Sequence, residues 1–159
     1  PVDLIVLATG FHTNRFLWPM EIVGRDDVSL HERWGDEPRA YLGITVPGFP
    51  NFFCLYGPGT NLAHAGSIIF HSECQVRYVM GCLAALARRG AASMECRQDV
   101  HDAYNARFDA RHADLVWSHP GANSWYKNAA GRVLTTSPWL LVEYWDWTKA
   151  PTLTDYELR

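Results

Sequence analysis

The longest helix-forming stretch of the chain, residues 67–89, is the feature that most limits how this sequence can fold. Apolar side chains recur there at three- and four-residue spacing, a pattern typical of a helix that turns one stripe toward a protein core. The stripe consists of Ile69, Val76, Val79, Met80, Leu83 and Leu86. Arg88 and Arg89 suit the negative C-terminal end of a helix, and Gly90 suits the position just beyond it. The sequence therefore predicts one helix roughly 35 Å long.

Two continuous apolar runs predict buried strands. Residues 3–8 form one run, which ends at Gly10, and residues 51–56 form the other, which ends at a Gly-Pro-Gly turn. Such runs are typical of strands covered on both faces, as in parallel sheets. A short strand at 41–46 and a second helix at 100–117 complete the pattern. We expect an α/β fold with few strands and one long helix.

Composition excludes several classes of protein. The chain has 159 residues, of which 48% are hydrophobic and 19% charged, so it can build a core and is not a disordered chain. A net charge of -3 and a pI of about 6.2 argue against a nucleic-acid partner. The most apolar stretch, residues 79–87, is too short to cross a membrane. The chain starts at Pro1 and shows no signal peptide, and we expect a cytoplasmic protein. Because the chain opens on a strand-like run, we expect it to be the C-terminal part of a longer fold.

The cysteines and histidines show no metal-binding pattern. The four cysteines contain no CxxC pair, which predicts free, buried thiols, and they are Cys54, Cys74, Cys82 and Cys96. His64 and His71 are seven residues apart and could align on a helix, but no HExxH motif accompanies them. The histidines expected on solvated surfaces are His101, His112 and His119.

Tryptophan is concentrated in the C-terminal region, where five of the seven tryptophans follow residue 116. In residues 139–147, period-two alternation leaves both faces largely apolar, and a segment of this kind needs cover on both sides. A chain that is part of a larger fold is expected to expose apolar surface there. A self-contained module is expected to bury it.

Three loop motifs are candidates for binding. The first is Thr9-Gly10, at the end of the predicted strand 3–8, where small residues let a cofactor or another backbone approach closely. An ordinary exit from a strand has the same pattern. The second is Tyr56 with the glycine-rich loop 57–61, followed by residues 62–67, and it joins a predicted strand to the long helix. Backbone N–H groups and the positive end of the helix favour anionic groups there, beyond the carboxyl end of a strand.

The glycine-rich loop departs from known phosphate-binding fingerprints. It lacks the third glycine of GxGxxG, and no Gly-Lys-Ser/Thr follows it. A plain capped helix is therefore the alternative, with Thr60, Asn61 and Ser67 as plausible caps. The third motif is Ser124-Trp125-Tyr126-Lys127-Asn128 with Gly131-Arg132, whose aromatic and basic side chains can stack on a planar ligand or hold a phosphate. Its alternative is a loop that Trp125 and Tyr126 simply attach to the core.

The order of these motifs resembles the C-terminal portion of flavin-dependent Baeyer–Villiger monooxygenases. The resemblance rests on ATGF at residues 8–11, VPGFPNFFCLYGP at 46–58 and SWY at 124–126. Residues 57–78 and 131–147 are most similar to the 4-hydroxyacetophenone monooxygenase branch. The resemblance covers nearly the whole chain.

The resemblance implies a domain organisation. Residues 1–90 would be the C-terminal part of a Rossmann-like FAD-binding domain. Residues 91–159 would be a helical and irregular, tryptophan-rich extension with a lid loop at 118–132.

The resemblance also implies FAD and NADP as cofactors, and a reaction that inserts one oxygen atom from O2 into a ketone to give an ester or lactone. The implied cofactor contacts are Thr9, Gly10, Phe11, Gly57, Pro58, Gly59, Thr60, Asn61, Ser67 and Trp125. The implied substrate contacts are Leu62, Ala63 and His64. The helix start would stabilise negative charge on the reduced flavin, and Trp125 would belong to a mobile loop over the nicotinamide cofactor.

The chain also departs from the family. The two GxGxxG fingerprints, the signature between them and the catalytic arginine have no counterpart here, so no catalytic residue is predicted. We expect the chain to need N-terminal FAD and NADP domains and to bind FAD weakly or not at all by itself. Two alternatives stay open: part of a flavin monooxygenase that oxidises nitrogen or sulfur, and a non-catalytic, truncated binding module.

Overall fold

The computed structural model describes residues 1–10, 12–62, 66–122 and 124–159. Within these ranges the α-helices are α1 (Leu30–Trp34), α2 (Ile68–Arg89), α3 (Gln98–Ala113) and α4 (Leu141–Trp147). The strands β1 (Met94–Cys96) and β2 (Tyr156–Leu158) pair antiparallel, with Glu95 opposite Glu157. Single-turn 3-10 helices lie at Arg25–Asp27, Val116–Ser118 and Leu153–Asp155.

The long helix α2 forms where the sequence predicts it. The Ser67 hydroxyl accepts a hydrogen bond from the N–H of Ile69 at 3.2 Å and begins the helix. Gly90 ends the helix in the left-handed conformation, with φ of 63°. The predicted bounds are therefore confirmed.

The buried face of α2 differs from the predicted apolar stripe. The residues that the helix buries are His71, Cys74, Gln75, Tyr78, Cys82 and Ala85. Within the predicted stripe, Ile69, Val76, Met80 and Leu83 are 46–66% exposed. The core side of α2 is polar and aromatic, and its polar groups bond within the core: the Tyr78 hydroxyl lies 2.9 Å from the Tyr156 hydroxyl. Hydrophobicity alone does not identify such a face, so the predicted orientation was wrong.

The second predicted helix forms as α3, which ends at Ala113, and a separate 3-10 turn follows at Val116–Ser118. Tyr104 and Phe108 are buried on α3. The surface positions expected for His101 and His112 were wrong, because both side chains are buried. Nε2 of His112 donates to the carbonyl of Thr136 at 2.8 Å, a bond that makes burial of the ring acceptable.

The predicted buried strands do not form. Residues 3–8 have no strand structure, and the side chains of Leu4, Ile5, Val6 and Leu7 are 73–81% exposed. Residues 51–56 are irregular, and residues 41–46 form a tight turn closed by the N–H of Tyr41 on the carbonyl of Thr45. A central strand needs partner strands for its backbone groups. No segment that the structure describes pairs with residues 3–8, so a parallel sheet is absent from the described chain.

The main core is built by segments that are distant in the sequence. Leu42 and Ile44 join side chains of α2, β1 and α3 and the C-terminal residues Trp139, Tyr144 and Tyr156 in one cluster. A smaller cluster contains Leu30, Trp34, Ala40, Val46 and Phe49. The main cluster draws on both sides of residue 90, and the division into two domains there stays a prediction.

The four cysteines are free and buried, as the sequence predicts. Burial raises the pKa of Cys54 to about 11 and the pKa of Cys82 to about 12. Both thiols are therefore protonated at neutral pH. No group of three metal-ligating side chains occurs among the described residues.

The sequence pattern of residues 139–147 suggests an extended segment with alternating faces, but residues Leu141–Trp147 form the helix α4. Trp139 is buried, and its indole N–H donates to the Tyr104 hydroxyl at 2.9 Å. Leu140 and Val142 are 55% and 65% exposed. The apolar surface expected of an incomplete fold is therefore present beside a buried anchor. None of the described helices has the length and hydrophobicity that crossing a membrane requires.

The two faces of α2 make a testable contrast. We expect Val76→Gln and Met80→Gln to change the free energy of unfolding by less than about 0.5 kcal/mol, because both side chains are exposed. Cys82→Ser places a hydroxyl at a fully buried position and should cost about 1–3 kcal/mol. Urea unfolding of the three variants measures the ranking. The opposite ranking would mean that the predicted stripe is the buried face.

Candidate functional site

The glycine-rich loop is buried against the turn at Gly43 and against α3. A Cβ atom at Gly57 would lie 2.4 Å from the carbonyl oxygen of Gly43. At Gly59, where φ is +74°, a Cβ atom would lie 2.6 Å from the ring of Phe108. The Thr60 hydroxyl closes the loop by donating to the carbonyl of Gly57 at 2.7 Å. Internal packing accounts for both glycines, and their contact with a cofactor stays a prediction.

A buried chain of hydrogen bonds fixes the start of this loop. The N–H of Tyr56 donates to Oε1 of Gln75 at 2.7 Å, and Nε2 of Gln75 donates to the Tyr144 hydroxyl at 2.9 Å. The Tyr144 hydroxyl donates in turn to the carbonyl of Leu42 at 2.7 Å. Gln75 is fully buried and uses both ends of its carboxamide. The loop, α2, α4 and the turn at Leu42 are thereby held as one unit.

His71 supports this unit by stacking. Its ring lies 4.3 Å from the ring of Tyr144, with an angle of 21° between the planes. The side chain is fully buried, and neither ring nitrogen has a hydrogen-bond partner among the described residues. Burial lowers the pKa of His71 to about 4. The ring is therefore neutral at physiological pH and acts as an aromatic spacer.

The end of the glycine-rich loop is held by the segment after the lid loop. The N–H of Asn61 donates to the carbonyl of Thr135 at 2.9 Å, and the carbonyl of Asn61 accepts from the N–H of Ser137 at 2.8 Å. The Tyr56 hydroxyl donates to Oδ1 of Asn61. The Asn61 backbone thus continues a short ladder, and its side chain is oriented by an aromatic neighbour.

An apolar slot of about 240 Å³ brings two of the three predicted motifs together. Its lining residues are Thr13, Phe16, Tyr56, Gly57, Asn61, Trp125 and Thr135. Trp125 is 56% exposed, its ring centroid lies 4.1 Å from that of Tyr126, and its carbonyl accepts from the Thr13 hydroxyl at 3.2 Å. Aromatic faces with a few neutral polar groups suit a flat ring system.

A larger, more polar cavity of about 520 Å³ shares Thr13 and Trp125 with the apolar slot. Its lining includes the basic residues His12, Arg15 and Lys127 and the acidic residues Asp36 and Glu37. The two cavities differ in chemistry: none of the described residues that line the slot is charged, and the larger cavity carries charges of both signs. Trp125 lies between them.

The other predicted site residues have different positions. Thr9 and Gly10 are exposed and do not line the slot, and Ser67 is the exposed cap of α2. Pro58, Gly59 and Thr60 are buried, and Leu62 is half-buried. Phe11, Ala63 and His64 lie outside the described residues.

Sequence reasoning missed three lining residues of the slot: Thr13, Phe16 and Thr135. Thr13 and Phe16 lie in the irregular region after the ATGF motif, and Thr135 lies in a short polar run. No local pattern distinguishes them, because their shared position depends on contacts between distant segments.

Known proteins similar to this chain are monooxygenases. An uncharacterized monooxygenase of Sinorhizobium fredii is 44% identical over 155 residues, 97% of this chain and 23% of that protein. An FAD-binding monooxygenase of Aspergillus niger is 40% identical over 146 residues (89% and 24%). A Baeyer–Villiger monooxygenase of Pseudomonas aeruginosa is 38% identical over 138 residues (86% and 26%). The chain thus spans about a quarter of the length of these relatives. No family model matches it.

Solved structures show the same likeness. An oxidized steroid monooxygenase bound to NADP superposes with a TM-score of 0.75 at 33% identity, over 87% of this chain and 26% of that one. The OTEMO complex with FAD and NADP gives a TM-score of 0.72 over 87% and 26%; at 22% identity this match shows the fold alone. The match is to the C-terminal part of Baeyer–Villiger monooxygenase structures.

These relatives confirm the resemblance to flavin-dependent monooxygenases, Baeyer–Villiger enzymes among them. The narrower similarity to the 4-hydroxyacetophenone branch stays a prediction.

Two glycines with similar backbone conformations test the packing of the loop. Gly59 and Gly131 have φ of +74° and +79°, but a Cβ atom at Gly131 meets open space. We expect Gly131→Ala to cost about 1 kcal/mol from backbone strain. Gly59→Ala adds a clash with Phe108 and should cost a further 1–3 kcal/mol or so. Thermal and urea unfolding measure the difference. Equal costs would contradict the close approach of the loop to α3.

The lowered pKa of His71 predicts acid sensitivity. Its pKa is about 4 in the fold against an ordinary value of 6.5, so the unfolded chain binds the extra proton between these values. Stability should therefore fall as pH decreases through this window, by up to about 1.4 kcal/mol per pH unit for this group. We expect His71→Phe to remove that share of the slope, measured by urea unfolding from about pH 7 to about pH 5.

The exposed His119 supplies the matched control, because His119→Phe makes the same substitution at a surface position. A residual slope in His71→Phe is expected from His112, whose pKa burial also lowers. If His71→Phe and His119→Phe both keep the full wild-type slope, His71 does not titrate as a buried group.

Proposed function

We propose that this chain forms part of the cofactor-binding wall and the lid of an FAD- and NADPH-dependent monooxygenase, which inserts one oxygen atom from O2 into a ketone. The observation that carries the proposal is the meeting of Gly57, Asn61 and Trp125 at one apolar slot. The similarity to flavin-dependent monooxygenases supports the same assignment.

The lining of the slot fits a flavin ring. Phe16, Tyr56 and Trp125 offer aromatic faces for stacking on a planar heterocycle, and Thr13 and Asn61 offer neutral polar groups at its edge. The loop then leads to α2, whose first turn contains no acidic residue. The positive end of the helix dipole is therefore not compensated from within that turn and favours negative charge on a reduced ring. FAD bound here and reduced by NADPH supplies the activation of O2.

The larger cavity fits the phosphate-bearing part of a nicotinamide cofactor. Arg15 and Lys127 line it, and guanidinium and ammonium groups bind phosphate oxygens. Trp125 separates this cavity from the apolar slot. A loop over both cavities excludes water from the space where the two rings meet.

The apolar slot binds and orients a ring, and the groups with acid–base side chains lie in the larger cavity. Among the described residues that line the slot, Tyr56 is the one with a titratable side chain; burial raises its pKa, so its hydroxyl stays protonated at neutral pH. Proton transfer and the groups that act on the ketone are assigned to other parts of the enzyme. Exposed apolar surface on residues 3–8, on α2 and at Val142 is where such parts are expected to dock.

A chimeric enzyme tests the proposal. In it, the 159 residues of this chain replace the aligned quarter of the Pseudomonas aeruginosa Baeyer–Villiger monooxygenase. We expect the chimera to retain FAD through desalting and to oxidise NADPH with a panel of ketones, giving esters or lactones by mass spectrometry. Trp125→Ala in the chimera should lower turnover by roughly tenfold or more and leave FAD retention unchanged, because the lid loses its aromatic cover.

Trp145→Ala is the matched control, because Trp145 is partly exposed on α4 and does not line either cavity. The chain alone should lose FAD on desalting. Retention of one FAD per chain would mean that the module binds flavin without the rest of an enzyme. A folded, flavin-bound chimera that oxidises only nitrogen or sulfur compounds would overturn the ketone assignment.

A further inference from the structure

Two arginines and two carboxylates form a closed ring of ion pairs at the base of the lid loop. Nε of Arg132 lies 2.9 Å from Oδ1 of Asp109, and Nη1 of Arg132 lies 3.3 Å from Oε2 of Glu37. Arg39 contacts the same two carboxylates, each at 3.1 Å. Every member of the ring therefore has two partners of opposite charge, and the ring as a whole is neutral.

This arrangement differs from a simple surface salt bridge. The side chain of Arg132 is 17% exposed and that of Arg39 is 31% exposed. The hydrogen bond from Arg39 and the charge of Arg132 hold the pKa of Glu37 below its ordinary value, against the opposing effect of partial burial. The Arg97–Asp99 pair at the start of α3 is a contrast, because its side chains are 45% and 66% exposed and it contains one ion pair, with a further bond from Arg97 to the carbonyl of Thr154. Networks of partly buried pairs resist disruption better than isolated exposed pairs.

The ring joins three segments that the chain keeps far apart. Glu37 and Arg39 follow α1, Asp109 lies on α3, and Arg132 ends the lid loop. The backbone of Arg132 is equally engaged: its carbonyl accepts from the N–H of Asn128 at 2.9 Å, and its N–H donates to Oδ1 of Asn128 at 2.9 Å. The ring therefore holds both the side chain and the backbone at the end of the loop.

The first part of the loop is held by backbone hydrogen bonds, by the Thr13 hydroxyl on the carbonyl of Trp125, and by the side chain of Lys127. Nζ of Lys127 donates to the carbonyls of His119 at 2.7 Å and Ala122 at 3.1 Å. Lys127 also pairs through its backbone with Val133, directly after Arg132. Trp125 lies two residues before Lys127. The position of its indole is thus connected to the ring through a short turn.

We propose that Arg132 is a positioning residue: through the ion-pair ring it fixes the base of the lid and so sets the position of Trp125 between the two cavities. Breaking the ring releases the lid and leaves the core in place. The inference rests on the proposed function only where it treats the loop 118–132 as a lid over bound cofactors. The mechanical link itself needs no cofactor.

Fluorine NMR of the full 159-residue chain, labelled with fluorotryptophan, tests the link. The signal of residue 125 is assigned by its loss in Trp125→Phe. We expect Arg132→Met to shift the Trp125 signal toward that of the free amino acid and to leave the buried Trp139 signal in place. Amide exchange in residues 124–131 should rise by about tenfold or more, and exchange in α2 should not change. Arg97→Met is the matched control and should leave both readouts at their wild-type values.

An unchanged Trp125 signal in Arg132→Met overturns the proposal. If all seven tryptophan signals move together in Arg132→Met, that variant has lost the core, and Glu37→Gln decides instead, because it breaks the ring and keeps the Arg132 side chain. Movement of the Trp125 signal alone in Glu37→Gln supports the proposal, and any other result rejects it. A chimera without flavin would reject the proposed function and leave this result intact.

Discussion

The buried carboxamide of Gln75 is the interaction on which the rest of the structure depends. It accepts from the backbone of Tyr56 and donates to the hydroxyl of Tyr144, which in turn reaches the carbonyl of Leu42. A buried polar group without partners costs about 1–3 kcal/mol, so each group in this series depends on the next. The series also fixes which side of α2 faces inward, because Gln75 on that side uses both a donor and an acceptor in the core. The glycine-rich loop, α4 and the turn at Leu42 then take fixed positions around it.

Local features of the fold are predictable from the sequence, and long-range features are not. The bounds of α2 follow from a capping serine, a C-terminal glycine and basic last-turn residues, all of which act within a few positions. The inward face of α2 depends on partners such as Tyr144 and Tyr156, which lie more than sixty residues away. The apolar run at residues 3–8 fails to form a strand for the same reason. A strand is stabilised by its neighbours, and the described chain offers none.

The candidate site shows the same division. The loop at 57–61 and the aromatic pair at Trp125 can each be recognised from the sequence, because each has a composition that limits its local structure. In the fold these two motifs meet at one slot. The remaining lining residues, such as Phe16 and Thr135, carry no such signal. Gly57 and Gly59 show a further limit of sequence analysis. Their presence suggests close approach, and the structure places Gly43 and Phe108 at those contacts. A glycine indicates that something lies near, and only the fold identifies what it is.

Charge is distributed unevenly around Trp125, and this distribution limits what the chain can contribute to a reaction. The slot is lined by neutral groups, and its one titratable hydroxyl is held in the protonated state by burial. The charges lie on the other side, in the larger cavity, and Glu37 links that cavity to the ring that holds Arg132. A neutral wall suits a flat, uncharged ring, whereas a cavity of mixed charge suits a ligand that carries phosphate. Under the proposed function, the chain contributes shape and orientation on one side of Trp125 and charge recognition on the other. Since the position of Trp125 separates these two environments, whatever fixes its loop also fixes the boundary between them.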